Sequence, residues 1–304
     1  MILTVGSINQ DIVLNTDEIP APGETVMALD TECNAGGKGA NQAVACSLCG
    51  SDVVMLGCVG NDAAGEFLLA SMKNSNVDIS KIKKENCKTS TAYICVSEKG
   101  ENSIIVDSKA NKCVGSSYLL SQEQQFEKAE YCILQREIPD ESIHLAMQLC
   151  RKYNVKTVWN PSPVKGIHCE DLQGLYVLVP NEHEAQVLCG KPVDQMRDRD
   201  WIEFLDHYQI ANLVLTLGSR GCMLVDINRN VEWIDAFPCT VVDTTGAGDT
   251  FLGALVARLA EGSSLTEAAR FANAAGSLQC SRPGAQKAMP GRTEIENLLN
   301  NSNR

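Results

Sequence analysis

The chain has 304 residues, 44% hydrophobic and 21% charged, a globular balance that excludes a disordered or fibrous protein. Its 26 basic and 38 acidic residues leave a net charge of −12 with no basic patch, which argues against a nucleic-acid partner. No apolar run approaches the roughly 18 residues of a membrane span, so no membrane partner is expected.

In chain order, Met1 to Gly6 reads as a strand that starts at once, with no basic leader. The expected location is therefore cytoplasmic. Residues 11–33 are extended and turn-rich, with Pro20, Pro22 and Gly23. A helix is expected over 39–49, a strand over 53–57 and a helix over 63–74. Residues 88–107 alternate apolar and polar, turn at Lys99-Gly100-Glu101-Asn102 and return through Ile104-Ile105-Val106. Strands at 131–134, 156–159, 176–179 and 212–216 then alternate with helices at 140–151, 182–189 and 198–208. This order predicts an α/β fold: a doubly wound, mostly parallel sheet with helices on both faces. Two short strands, 222–226 and 231–234, flank Asn228-Arg229-Asn230, a hairpin signal. Helices near 247–260, 265–279 and 293–299 close the chain. One domain is expected over 1–304. The segments near 11–33 and 88–107 form a small inserted sheet, either a lid over a site or an edge hairpin.

Fourteen cysteines are scattered between Cys33 and Cys280. A chain this long buries an ample core without disulfides, so they read as free thiols packing as small hydrophobes. Cys46 and Cys49 form a C-x-x-C inside a helical segment, with no further ligands beside it. Packing is favoured there over a redox or zinc role.

Three groups of residues carry chemistry. Asn34-Ala35-Gly36-Gly37-Lys38-Gly39-Ala40-Asn41-Gln42-Ala43 places glycines just before an Ala-rich helix. Glycines there let a ligand approach a helix N-terminus, or simply let the chain turn. The spacing is not that of a P-loop. Asp243-Thr244-Thr245-Gly246-Ala247-Gly248-Asp249-Thr250-Phe251 sets a small-residue turn between two carboxylates, where a long helix starts near Gly248. Free N–H groups at that start suit a transferring phosphoryl group, and Asp249 suits a base for a hydroxyl. A plain helix cap would explain Asp249 but not Asp243 or the glycines. The third group follows three apolar strands: Asn160-Pro161-Ser162-Pro163, Asn181-Glu182-His183-Glu184 and Thr216-Leu217-Gly218-Ser219-Arg220-Gly221. Sites in α/β folds lie at such strand ends. The four histidines lack metal spacing and read as surface or capping residues.

These segments resemble the ribokinase-like family of carbohydrate and nucleoside kinases. The likeness runs from Gly6-Ser7-Ile8-Asn9-Gln10-Asp11 to Gly284-Ala285-Gln286, nearly the whole chain. The resemblance implies ATP-dependent phosphorylation of D-ribose at its 5-hydroxyl. It implies that Asn9, Gln10, Asp11, Gly37, Lys38, Gly39, Ala40 and Asn41 hold the sugar, with Glu137 closing over it. Asp249 would be the base, and Gly246, Ala247 and Gly248 the anion hole. Asn181, Thr216, Leu217, Gly218, Ser219, Arg220, Gly221, Gly248, Asp249 and Asn273 would bind ATP. Glu184 would position Mg2+ through water. Asp243, Thr245, Gln279, Arg282, Gly284 and Ala288 match a loop pair that binds potassium, largely by backbone oxygens. The small sheets would pair into a homodimer. The sequence departs from the pattern at Ala288, often Ser, at Lys109, usually Gly, and at Arg136, usually apolar. Other sugars or nucleosides (deoxyribose, fructose, adenosine, pseudouridine) and a non-catalytic sugar-binding protein remain the alternatives.

Overall fold

The structure is a computed structural model and describes residues 1–302. In chain order its elements are β1 (Ile2–Val5), β2 (Asn9–Thr16), β3 (Asp30–Gly36), α1 (Lys38–Leu48), β4 (Val53–Leu56), β5 (Cys58–Gly60) and α2 (Ala63–Asn74). Then come β6 (Lys83–Glu85), β7 (Ser90–Ser97), β8 (Asn102–Asp107), α3 (Ser116–Ser121), α4 (Glu123–Lys128), β9 (Tyr131–Leu134) and α5 (Asp140–Lys152). The second half holds β10 (Lys156–Trp159), β11 (Val177–Leu178), α6 (Glu182–Cys189), α7 (Asp198–Tyr208), β12 (Asn212–Thr216), β13 (Cys222–Val225), β14 (Val231–Ile234), α8 (Ala247–Ala260), α9 (Leu265–Cys280) and α10 (Arg292–Ser302).

The main sheet runs β14-β13-β12-β11-β10-β9-β1-β4. Strands β4 to β12 in that order are parallel, and the β13–β14 hairpin joins antiparallel to β12. Alternate residues face opposite sides, so each strand feeds two cores. Ile2, Met55, Ile133, Val158 and Val214 pack under α1, α8 and α9. Leu3, Leu56, Leu134, Trp159 and Leu213 pack on the other face with Leu119, Phe126, Met147 and Leu205 of the opposing helices. Residues 116–128, which sequence periodicity leaves unassigned, form α3 and α4, held by buried Leu119 and Phe126.

The second sheet has the order β3-β2-β7-β8. It is wider than 11–33 and 88–107 suggest. Strand β2 begins at Asn9 and β3 runs to Gly36, with only Gly37 between it and α1. The sheet is therefore continuous with the Gly-rich segment. A short parallel pair, β5 with β6, lies apart.

Helix α1 crosses α8 closely. A Cβ on Gly253 would sit 2.4 Å from the Ala45 Cβ and 2.9 Å from the Gln42 carbonyl oxygen. Only a glycine lets the two helices approach so far. Thirteen cysteines are free thiols; the Cys169 side chain lies outside the described residues. Cys46 and Cys49 are both buried, and burial pushes the Cys49 thiol up to about 12, the opposite of a reactive pair. Among the described residues, no helix is long and apolar enough to cross a membrane.

Candidate active site

Two helix N-termini meet at the carboxyl ends of the parallel strands, and they differ. That of α1 is closed by the protein itself. The Lys38 N–H donates to Glu137 Oε2, the Gly39 N–H to Ser7 Oγ, and the Ala40 N–H to the Ser7 carbonyl, at 3.3, 3.3 and 2.9 Å. Gly37 enters this helix at φ +90°, and a Cβ there would lie 2.7 Å from the Asn9 nitrogen. A Cβ on Gly39 would lie 2.7 Å from the Ser7 nitrogen. Gly37 and Gly39 are thus required by the close approach of the protein's own backbone, as the turning alternative expects. Ala40 is 1% exposed and packs in the core rather than toward a sugar.

The N-terminus of α8 is open. Gly246 is its N-cap in the left-handed region, at φ +75°. The Gly248 and Asp249 N–H groups meet no acceptor among the described residues, and nothing lies within 4 Å of where a Gly248 Cβ would be. Ala247 is the exception in the expected anion hole, because its N–H donates to the Thr244 carbonyl at 3.2 Å. Unpaired N–H groups at a helix start attract anionic oxygens.

Asp249 is the third residue of α8, so it does not cap the helix. It is 8% exposed. Its Oδ2 accepts from Asn41 Nδ2 at 2.9 Å and its Oδ1 from Gln42 Nε2 at 2.8 Å. Both amides are themselves fixed: Gln286 Nε2 donates to Asn41 Oδ1 at 3.0 Å, and Gln135 Nε2 to Gln42 Oε1 at 2.6 Å. Gln135 fits because residue 6 is glycine; a Cβ there would fall 1.9 Å from Gln135 Oε1. The network leaves the carboxylate oriented, with lone pairs to spare.

A polar wall faces this carboxylate. Asp11 lies over Gly36, where a Cβ would fall 2.0 Å from Asp11 Oδ2. Burial, then the charges of Glu137 and Asp249, push the Asp11 carboxyl up to about 7. Burial works to lower Lys38, but Asp249, Glu137 and Glu184 outweigh it and raise the ammonium above its ordinary value. Ser7 Oγ donates to Glu137 Oε2 at 2.5 Å. Asn9 Oδ1 accepts from buried Asn111 Nδ2 at 2.7 Å, and Asn111 Oδ1 accepts from the Ile8 N–H. By strand alternation Gln10 faces away from Asn9 and Asp11, which removes it from this wall. A cleft of about 560 Å³ opens beside it, lined by Lys38, Val106, Ser108, Glu137 and Ile138. Arg136 lines it too and donates to the carbonyls of Pro163, Lys165 and Gly166, which pins the loop after β10. Lys109 instead turns outward toward Asp107, 3.6 Å away.

The expected nucleotide residues gather at the ends of β11 and β12. Asn181 caps α6 reciprocally with Glu184: Glu184 N donates to Asn181 Oδ1 and Asn181 N to Glu184 Oε2. Thr216 N donates to the Pro180 carbonyl, and Arg220 pairs with Glu182. Leu217 is 3% exposed and belongs to the core. Asn273 Nδ2 donates to the Ile234 carbonyl at 3.2 Å, tying α9 to the β14 exit.

The loops expected to hold potassium do meet. Asp243 Oδ1 accepts from Thr245 N at 2.9 Å and Oδ2 from Gly284 N at 2.8 Å. Burial works to raise the Asp243 carboxyl, but these hydrogen bonds outweigh it and hold it low. The carbonyls of Thr245, Gly284 and Ala285 all converge on one atom, Gln279 Nε2, at 2.9, 2.8 and 3.0 Å. The Gln279 carbonyl accepts from Arg282 N, and the Arg282 side chain pairs with Glu294. Ala288 is buried with no polar side chain. The residues are together, but the place a cation needs is held by an amide, so potassium does not fit this set.

Sequence reasoning singled out Asp249, Asn41 and the glycines, but not Ser7, Gln42, Asn111 or Gln135 as site residues. Ser7 and Gln42 lie inside the Gly6–Asp11 and Asn34–Ala43 segments; Asn111, two residues beyond Lys109, and Gln135 carried no signal of a site role.

The chain matches the family model described as pfkB family carbohydrate kinase over residues 1–292. It is 37% identical to the ribokinase of Bacillus subtilis, across 98% of this chain and 99% of that protein. A crystal structure of ribokinase from Thermotoga maritima superposes with a TM-score of 0.90 at 32% identity, covering 98% and 99% of the two chains. The structure of Arabidopsis thaliana ribokinase complexed with ribose and ATP gives a TM-score of 0.89 at 30% identity, covering 98% of each.

Proposed function

Because the chain belongs to the pfkB family of carbohydrate kinases, we propose that it is a ribose kinase. It transfers the γ-phosphoryl group of ATP to the 5-hydroxyl of D-ribose, giving ribose 5-phosphate and ADP. The observation that carries this reading is the pairing of buried Asp249, held by two amides, with the open N–H groups of Gly248 and Asp249. Binding alone needs no base beside an anion hole.

Asp249 accepts the proton as the sugar oxygen attacks, and the α8 N–H groups take the charge of the transferring phosphoryl oxygens. Asp11, Lys38 and Glu137 hold the other hydroxyls, with Asn9 positioned by Asn111. Asp11, pushed to about 7, can donate or accept near neutral pH. ATP lies along Asn181, residues 216–221 and Asn273. Mg2+ brought with ATP neutralises phosphate charge. Glu184 fits it, because one carboxylate oxygen holds Asn181 N and the other is left for a bound water. Among the described residues no three His, Cys, Asp or Glu side chains form a metal cage.

The whole of 1–304 works as one unit in the cytoplasm, with the four-stranded sheet as its lid. A second copy covers that sheet. Its outer row, Ile12, Tyr93 and Ile105, is apolar and in register, and Ile105 is 70% exposed.

A coupled ADP-release assay over ribose, deoxyribose, fructose, adenosine and pseudouridine tests the function. Ribose is expected to give the highest kcat/KM. Faster turnover of another acceptor moves the chain to that substrate, and no turnover of any ends the kinase reading.

A further inference from the structure

Gln279 is a fully buried side chain on α9. Its Nε2 lies 2.8–3.0 Å from the backbone carbonyls of Gly284, Thr245 and Ala285, which come from two separate loops. Its Oε1 faces Thr250 Oγ1 at 3.4 Å, which sets the amide's orientation. Three inward carbonyls beside a carboxylate form an electronegative ring of the kind that takes a monovalent cation. An amide has two hydrogens for three acceptors, yet it presents the positive end of a dipole at the centre. That centre lies directly under the phosphoryl site, since Nε2 is 3.6 Å from where a Gly246 Cβ would begin. Asp243 needs no outside charge, because the Thr245 and Gly284 N–H groups already satisfy it. For a cation to enter, the Gln279 amide would have to leave and give up its contacts to all three carbonyls.

We propose that the Gln279 side-chain amide replaces a monovalent cation in this chain, ordering the anion-hole loop from within. Gln279 is then a positioning residue for the kinase reaction, and the enzyme is indifferent to potassium. The activity arm of the test rests on the kinase reading; the thermal arm does not, so the two can fail separately.

The experiment compares chlorides of potassium, sodium and tetramethylammonium at one ionic strength, reading phosphorylation rate and thermal unfolding. The natural chain is expected to show the same rate and the same Tm in all three. Activation severalfold by potassium, or a potassium-dependent Tm, overturns the proposal. Gln279→Ala empties the ring, and potassium is expected to restore part of its lost Tm through linked binding. Gln279→Glu keeps the size but puts an anion among the carbonyls, so potassium should raise its Tm by several degrees. If folded variants respond to no cation, the ring is not a cation place and Gln279 is an ordinary structural amide. Where neither variant folds, a potassium response of the natural chain still overturns the proposal.

Discussion

Gln42 Nε2 donates to Asp249 Oδ1 at 2.8 Å, across 207 residues of chain, from a side chain with no solvent exposure. The contact joins the Gly-rich segment to the proposed base and exists only because α1 and α8 press together at Gly253. With Asn41 it supplies two amide donors to one carboxylate, an arrangement with direct consequences for substitution.

Asp249→Asn removes the base, and kcat is expected to fall by about 10²–10⁴. The change is not silent for the fold. An amide at 249 turns one NH2 toward the NH2 of Asn41 or Gln42, leaving buried donors opposed. Stability should drop by about 1–3 kcal/mol. Denaturant melts paired with single-turnover rates check both. A kcat within threefold (~0.6 kcal/mol) places the base elsewhere.

Gln42→Leu keeps bulk but strands Asp249 Oδ1 and Gln135 Nε2. The expected outcome is a kcat loss without a matching rise in the ribose KM, because Gln42 touches the base and not the sugar. Gln42→Glu, which sets a second carboxylate against Asp249, should shift the acidic limb of the pH–rate profile upward. An unchanged profile in Gln42→Glu would show that the contact does not govern Asp249.

Asp11 gives a pH dependence with a definite sign. Its carboxyl is raised from 3.8 to about 7, so the folded state binds its proton more tightly than the unfolded state. That contribution is full below about pH 4 and is lost as pH rises to about 7. Asp11→Asn, which cannot ionise, should therefore melt higher than the natural chain at pH 8, with the gap closing toward pH 4. Its ribose KM should rise. A constant Tm difference across that range would contradict the raised value.

Gly253→Ala inserts a methyl where Ala45 Cβ would be 2.4 Å away. Overpacking of this kind costs about 1–3 kcal/mol. Because it parts α1 from α8, it should also weaken the amide contacts to Asp249, so kcat falls although the residue touches no substrate. Urea midpoints and steady-state rates together test this.

Ile105→Asp puts a charge on the exposed outer row of the four-stranded sheet. If two copies pair there, light scattering should show the dimer shift to monomer while the monomer's melting stays close to that of the natural chain. An unchanged mass would place any interface elsewhere.

Periodicity by itself determined most of the α/β order, since alternating apolar runs and 3.6-residue stripes report burial directly; the expected helices at 63–74, 182–189, 198–208 and 247–260 match α2, α6, α7 and α8. Local motifs likewise placed Asp249 just after a small-residue turn at a helix start, where the structure has Gly246 as the N-cap of α8. What sequence could not decide was which polar groups are already used. The glycines at 36–39 left a ligand approach and a plain turn both open, and only the fold shows that Ser7 and Glu137, distant in sequence, bond the N–H groups at the start of α1. Asn41 and Gln42 are neighbours on one helix, but only the α1–α8 crossing aims both at one carboxylate. Gln279 matched a cation loop by position, and its side chain proved to fill the ring itself. Hydrogen-bond satisfaction depends on partners tens or hundreds of residues apart, so it is a property of tertiary packing and leaves no local trace in the chain.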